Sequence, residues 1–109
     1  MAGKPQGARI SRGPRVTRYA KRVDQNQALI VEALRGAGWV VEDLSYVGHG
    51  CPDLYAEKGD RGLFIEVKDG SKPPSQRKLT KAESWFLPLL KRAGAEVVIV
   101  ETPEQAEKL

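Results

Sequence analysis

The spacing of apolar positions changes along the chain, and each change marks an element. Residues 24–36 carry Ala28, Leu29, Val31, Ala33 and Leu34 at helical intervals, with Asp24 as an N-cap and Gly36 and Gly38 at the far end, so the pattern predicts a helix. Residues 39–44 (Trp-Val-Val-Glu-Asp-Leu) predict a first strand, residues 54–57 a second and residues 63–68 a third. In the third, Leu63, Ile65 and Val67 alternate with Glu66 and Lys68. One face is therefore apolar, and the other carries both charges. Residues 58–61 predict a hairpin loop whose register pairs Glu57 with Gly62 and, carried further, Asp53 with Glu66. Residues 69–78 form a Pro/Ser/Lys-rich connection. Thr80-Lys81-Ala82-Glu83 is a capping box that opens a second helix. Its expected inner face is Trp85, Phe86, Leu89 and Leu90, with Pro88 kinking or splitting it. Residues 96–101 predict a buried strand, and residues 103–109 a short polar tail. The order α-β-β-β-α-β gives an α/β fold, a small mixed sheet flanked by helices.

Composition narrows the class. With 109 residues the chain suits one domain, and its single Cys excludes an intrachain disulfide. No apolar run approaches the roughly 20 residues of a membrane span, and the first residues lack the apolar stretch of a signal peptide. The expectation is a cytoplasmic protein with no membrane partner, in a cell or, for a phage protein, in its host. The net charge of +4 is unevenly placed: residues 1–22 hold seven basic residues and no acid, leaving the remainder at −3. Residues 1–22 therefore read as a flexible basic arm and residues 23–109 as a single domain. Arg9, Arg12, Arg15 and Arg18 recur every three residues and are expected to meet DNA phosphates, as are Lys72, Arg77, Lys78 and Lys81 further on.

Chemistry concentrates between the second and third strands. Opposed side chains in an antiparallel pair stand about 4.5–5.5 Å apart at Cβ, so Asp53 and Glu66 would set two negative charges together unless a cation lies between them. Two carboxylates with a backbone carbonyl form a hard oxygen set, suited to Mg²⁺, with Mn²⁺ able to substitute. Zinc would call for clustered His and Cys, whereas the chain has one of each, His49 and Cys51. Lys68 beside such an ion can orient water or offset charge on a phosphorus centre. His49 is expected to be a plain loop residue and Cys51 a small packed one. Gly48-x-Gly50 is too short for a nucleotide fingerprint, and no P-loop is present, so no nucleotide cofactor is expected.

Pro52-Asp53 followed by Glu66-Val67-Lys68 resembles the PD-(D/E)xK nuclease motif. Residues 24–101 as a whole resemble VRR-NUC nucleases and the archaeal-type Holliday-junction resolvases, with their small phage relatives. The resemblance implies a restriction-endonuclease-like core. It makes Asp53 and Glu66 metal ligands, the Val67 carbonyl a third ligand and Lys68 the catalytic lysine. Those resolvases carry a Glu on the first helix. Here Gln27 takes that position, able to bond a metal-bound water, with Asp24 and Glu32 as the nearest acids. The implied activity is Mg²⁺-dependent, structure-specific cleavage of DNA, with Holliday-junction resolution favoured. A nuclease of the same fold acting on flaps, nicks or duplex is the alternative, as is a non-catalytic DNA-binding module. Nothing in the chain resembles a base-reading helix, so shape rather than sequence would be recognised. Symmetrical cutting of a branched duplex by so small a chain implies a homodimer.

Overall fold

A computed structural model describes the backbone of residues 18–109 and the side chains of residues 25–109. Arg9, Arg12 and Arg15 lie outside the described residues. Arg18 enters only as the first residue of α1 (Arg18–Gly36). This helix begins six residues before the predicted start, so Asp24 lies inside it rather than capping it, and residues 18–22 of the expected arm belong to it. Its buried stripe is Gln27, Ile30 and Leu34, at i, i+3 and i+7, while Leu29 is half exposed. The helix stops because Gly38 adopts φ +98°. The Gly38 N–H bonds the Arg35 carbonyl and the Trp39 N–H bonds that of Leu34, each at 3.0 Å, closing a Schellman motif whose two apolar ends, Leu34 and Trp39, meet in the core.

Four strands follow the predicted order: β1 (Val40–Asp43), β2 (Leu54–Lys58), β3 (Arg61–Val67) and β4 (Val97–Val100), lying side by side in that sequence. The first two pairings are antiparallel and β3 with β4 is parallel, so the sheet is mixed. Glu57 pairs with Gly62 as the sequence predicts, but Lys58 pairs with Arg61 as well. The turn is thus Gly59-Asp60 rather than four residues, and the register is unchanged.

A parallel pair needs a crossover, supplied by a 3₁₀ turn at Pro74–Gln76 and by α2 (Lys81–Arg92). Thr80 caps α2 through the predicted box. The helix runs through Pro88 without splitting. Leu87 is buried and Glu83, Phe86 and Leu90 are half-buried, so Phe86 and Leu90 of the predicted inner face turn inward, whereas Trp85, 70% exposed, and Leu89 do not. β4 is an edge strand with only Val100 fully buried, and Ile99 is half exposed. The predicted polar tail is instead a helix, α3 (Pro103–Glu107), capped by Thr102. Its Ala106 is fully buried in the core with Ile30, Leu34, Leu54, Leu63 and Ile65. That core fills one face of the sheet beneath α1 and α3. Side-chain alternation sends Phe64 and Glu66 to the other face, where α2 lies.

Candidate active site

The ladder between β2 and β3 ends at Leu54–Ile65, and Asp53 sits just beyond it. Its Oδ2 accepts the Val67 N–H at 2.9 Å, which anchors the carboxylate on the edge of β3. Lys68 donates its N–H to Val100 on the opposite side. Strand alternation therefore places both the N–H and the carbonyl of Val67 on the Asp53 edge. The preceding loop, residues 47–52, holds Asp53 in place by close backbone contact with α2. Gly50 adopts φ +83°, and a Cβ there would fall 2.5 Å from the Ala82 carbonyl oxygen. Gly50→Ala is expected to force this loop off α2. We expect the melting temperature to drop by several degrees, measured by thermal denaturation; an unchanged value would show that the loop does not depend on this contact with α2.

Glu66 projects from β3 on the face opposite the core and is 1% exposed. Its Oε2 lies 3.3 Å from Lys68 Nζ, and Lys68 Nζ lies 2.8 Å from Glu83 Oε1. The other Glu66 oxygen, Oε1, is buried without a hydrogen-bond partner. Burial, a hydrogen bond to Glu83 and the Asp53 charge push the Glu66 carboxyl up to about 9. Burial also pushes Asp53 up, against the opposing Val67 N–H, with the Glu83 charge adding to the rise. Burial works against the Lys68 ammonium too, but the Glu83 bond and the Glu66 charge outweigh it and hold it above its ordinary value. Glu83 is held below its own, because bonds to Glu66, Lys68 and the Thr80 N–H overcome the effect of burial. Glu66 and Glu83 thus share one ammonium, whose charge also acts on Asp53. A carboxyl pushed up by burial and by its neighbours, with one oxygen unpartnered, is the arrangement a divalent cation would relieve. Asp53, Glu66 and the Val67 carbonyl fit such an ion as an all-oxygen set. Among the described residues no group of three or more Asp, Glu, His or Cys side chains is placed to hold a metal ion by itself.

The first helix contributes differently from expectation. Gln27 is buried, but its Nε2 donates to Asp43 Oδ2 at 3.2 Å. Glu32 lines the same groove of about 750 Å³ between α1 and β1 as these two residues. The α1 side chain tied to the lysine segment is Asn26, whose Nδ2 donates to the Lys68 carbonyl at 2.9 Å. The acid beside Lys68 comes from α2 as Glu83. The sequence marks Glu83 only as a helix cap, and nothing in the local pattern marks Asn26 for a carbonyl 42 residues away.

The basic residues divide. Lys72, Lys78 and Lys81 are exposed, whereas Arg77 is half-buried and its Nη1 binds both Glu101 oxygens at 3.2 Å. Arg77 therefore ties the connecting segment to the end of β4 rather than standing ready for phosphate. His49 is an exposed loop residue in the left-handed region at φ 58°. Burial, followed by the Asp53 and Glu66 charges, pushes the Cys51 thiol up, the reverse of what a nucleophilic thiolate needs. Among the described residues no helix is long and apolar enough to cross a membrane.

Among solved structures, a VRR_NUC domain matches this chain with a TM-score of 0.61 and 28% identity over 79% of this chain and 90% of that one. No protein-family model and no curated protein matches the chain. This likeness leads to one relationship: the chain is a relative of the VRR-NUC domain and shares its restriction-endonuclease-like core.

Proposed function

We propose that this protein is a Mg²⁺-dependent endonuclease that cuts branched DNA, with the four-way Holliday junction as its preferred substrate and a homodimer as its working form. The observation that carries the reading is the convergence of Asp53, Glu66 and Lys68, with a buried Glu66 oxygen left without a partner. Kinship with a domain named as a nuclease supports it. A divalent ion held by Asp53, Glu66 and the Val67 carbonyl would supply a bound water of lowered pKa and charge stabilisation on the phosphate. The chain's own residues do the rest. Lys68, kept cationic by Glu83 and Glu66, sits beside the carboxylates, where it can orient the attacking water and offset charge on the phosphate. Exposed Lys72 and Lys78 before α2 and Lys81 at its start would hold the backbone of the substrate, with Arg9, Arg12, Arg15 and Arg18 adding contacts from the N-terminal segment.

One active site per chain cuts one strand, so paired cuts across a junction require two copies related by a two-fold axis. Cleavage of a labelled four-way junction beside linear duplex, flap and single strand, with and without Mg²⁺, tests the reading. Symmetrical nicks on the junction, absent without the ion, are the expected result. Cutting of flaps, nicks or duplex in preference would keep the site and overturn the junction assignment. Tight binding with no cutting of any substrate would make the protein a DNA-binding module.

A further inference from the structure

Lys68 is gripped from outside its own hairpin. Its Nζ lies 2.8 Å from Glu83 Oε1, with the two side chains only 12% and 14% exposed. Glu83 is itself locked. The same Oε1 accepts the Thr80 N–H at 2.8 Å, and the Glu83 N–H bonds Thr80 Oγ1 at 3.1 Å. In an ordinary capping box the carboxylate at this position serves the N-cap amide on a solvated helix end. Here it is largely buried and also binds a lysine 15 residues earlier, on a different element.

We infer that Glu83 is a positioning residue that holds the Lys68 ammonium at the active site, so that docking of α2 on the sheet assembles the catalytic lysine. The inference rests on the nuclease reading above. The reason is mechanical. Lysine ends a flexible four-carbon stem, and one fixed acceptor on a capped helix removes most of its freedom. Glu66 pairs with the same ammonium, but a divalent ion on Glu66 would share that charge and repel Lys68. The Glu83 contact does not depend on the ion. It also supplies, from α2, a carboxylate beside Lys68 that α1 does not provide, since Gln27 is bound to Asp43.

The test compares Glu83→Ala, Glu83→Gln and Thr102→Ala, the last removing an N-cap at α3 instead. Two readouts are needed: kcat and KM on a labelled four-way junction in Mg²⁺, and the rate of reductive methylation of Lys68 in metal-free protein, followed by mass spectrometry. Glu83→Ala is expected to lower kcat by about 10- to 100-fold with KM within about twofold, and to raise Lys68 labelling several-fold. Glu83→Gln should restore part of both, because its amide oxygen still accepts from Lys68 and Thr80. Thr102→Ala should lower the melting temperature and leave kcat and labelling unchanged. Wild-type kcat or labelling in Glu83→Ala, a change confined to KM, or the same losses in Thr102→Ala would each overturn the assignment. If the wild type cuts nothing, the nuclease reading falls, and the labelling rates alone decide whether Glu83 holds Lys68.

Discussion

Asp53→Asn is expected to lower kcat by about a thousandfold or more while leaving the fold intact. The substituted amide keeps an oxygen that can accept the Val67 N–H, the bond Asp53 makes at 2.9 Å, so β3 and the loop before it stay in place. What is lost is one of the two charges that would hold the ion. The same change has a readout that needs no DNA. An ion at ten times its dissociation constant stabilises a folded protein by about 1.4 kcal/mol. For a domain of this size that raises the melting temperature by roughly 5–10 °C. Wild-type protein in Mg²⁺ or Mn²⁺ should show that rise against a chelator control, and the Asp53→Asn variant should not. Equal stabilisation of both proteins, or cleavage by the variant at the wild-type rate, would remove Asp53 from the site.

Glu66→Gln should abolish cleavage as well, yet make the metal-free protein more stable at neutral pH. The folded chain keeps the Glu66 proton until about pH 9, whereas the unfolded chain releases it near 4.5. Folding therefore takes up a proton across that window. The raised folded-state value means stability is fully present below about 4.5 and declines as pH rises towards 9. At pH 7 the loss is on the order of 2–3 kcal/mol for a group so buried. A neutral amide of the same shape bears none of it and can donate to Glu83 or Asp53 as the protonated acid does. In chelator, the wild-type melting temperature should fall by on the order of 10 °C between pH 5 and pH 8, while that of the variant stays nearly flat. Added divalent ion competes with the proton, so its stabilising effect on the wild type should grow with pH. Parallel pH profiles for the two proteins would show that Glu66 is an ordinary ionised carboxylate and would leave the metal-site reading without its main support.

Both predictions concern the paired acids Asp53 and Glu66, and such a site was partly visible in the sequence. The alternation of Leu63, Ile65 and Val67 with Glu66 and Lys68 required a strand with two charged residues on one face. The turn residues between β2 and β3 fixed the register even though the turn proved two residues shorter than expected. The capping box at Thr80 and the glycine stop at Gly38 were legible because each depends on residues only a few positions apart. The phase of α2 was not. Its apolar residues allowed an inward face through Trp85 and Leu89, but the bond from Glu83 to Lys68 turns the line of Glu83, Leu87 and Leu90 towards the sheet.

The sequence by itself determined the order of the elements as far as β4 and the hairpin register that brings Asp53 near Glu66 and Lys68, because period, turn chemistry and short-range pairing are properties of neighbouring residues. Tertiary structure decided the partners. It bound Gln27 to Asp43, Arg77 to Glu101 and Asn26 to the Lys68 carbonyl. It also drew residues 103–107 into a core helix around Ala106 and set Glu83 against the lysine. Each of these contacts joins separate elements. A polar side chain can bond any complementary group that packing brings within about 3 Å, so its choice is made only when the helices close on the sheet.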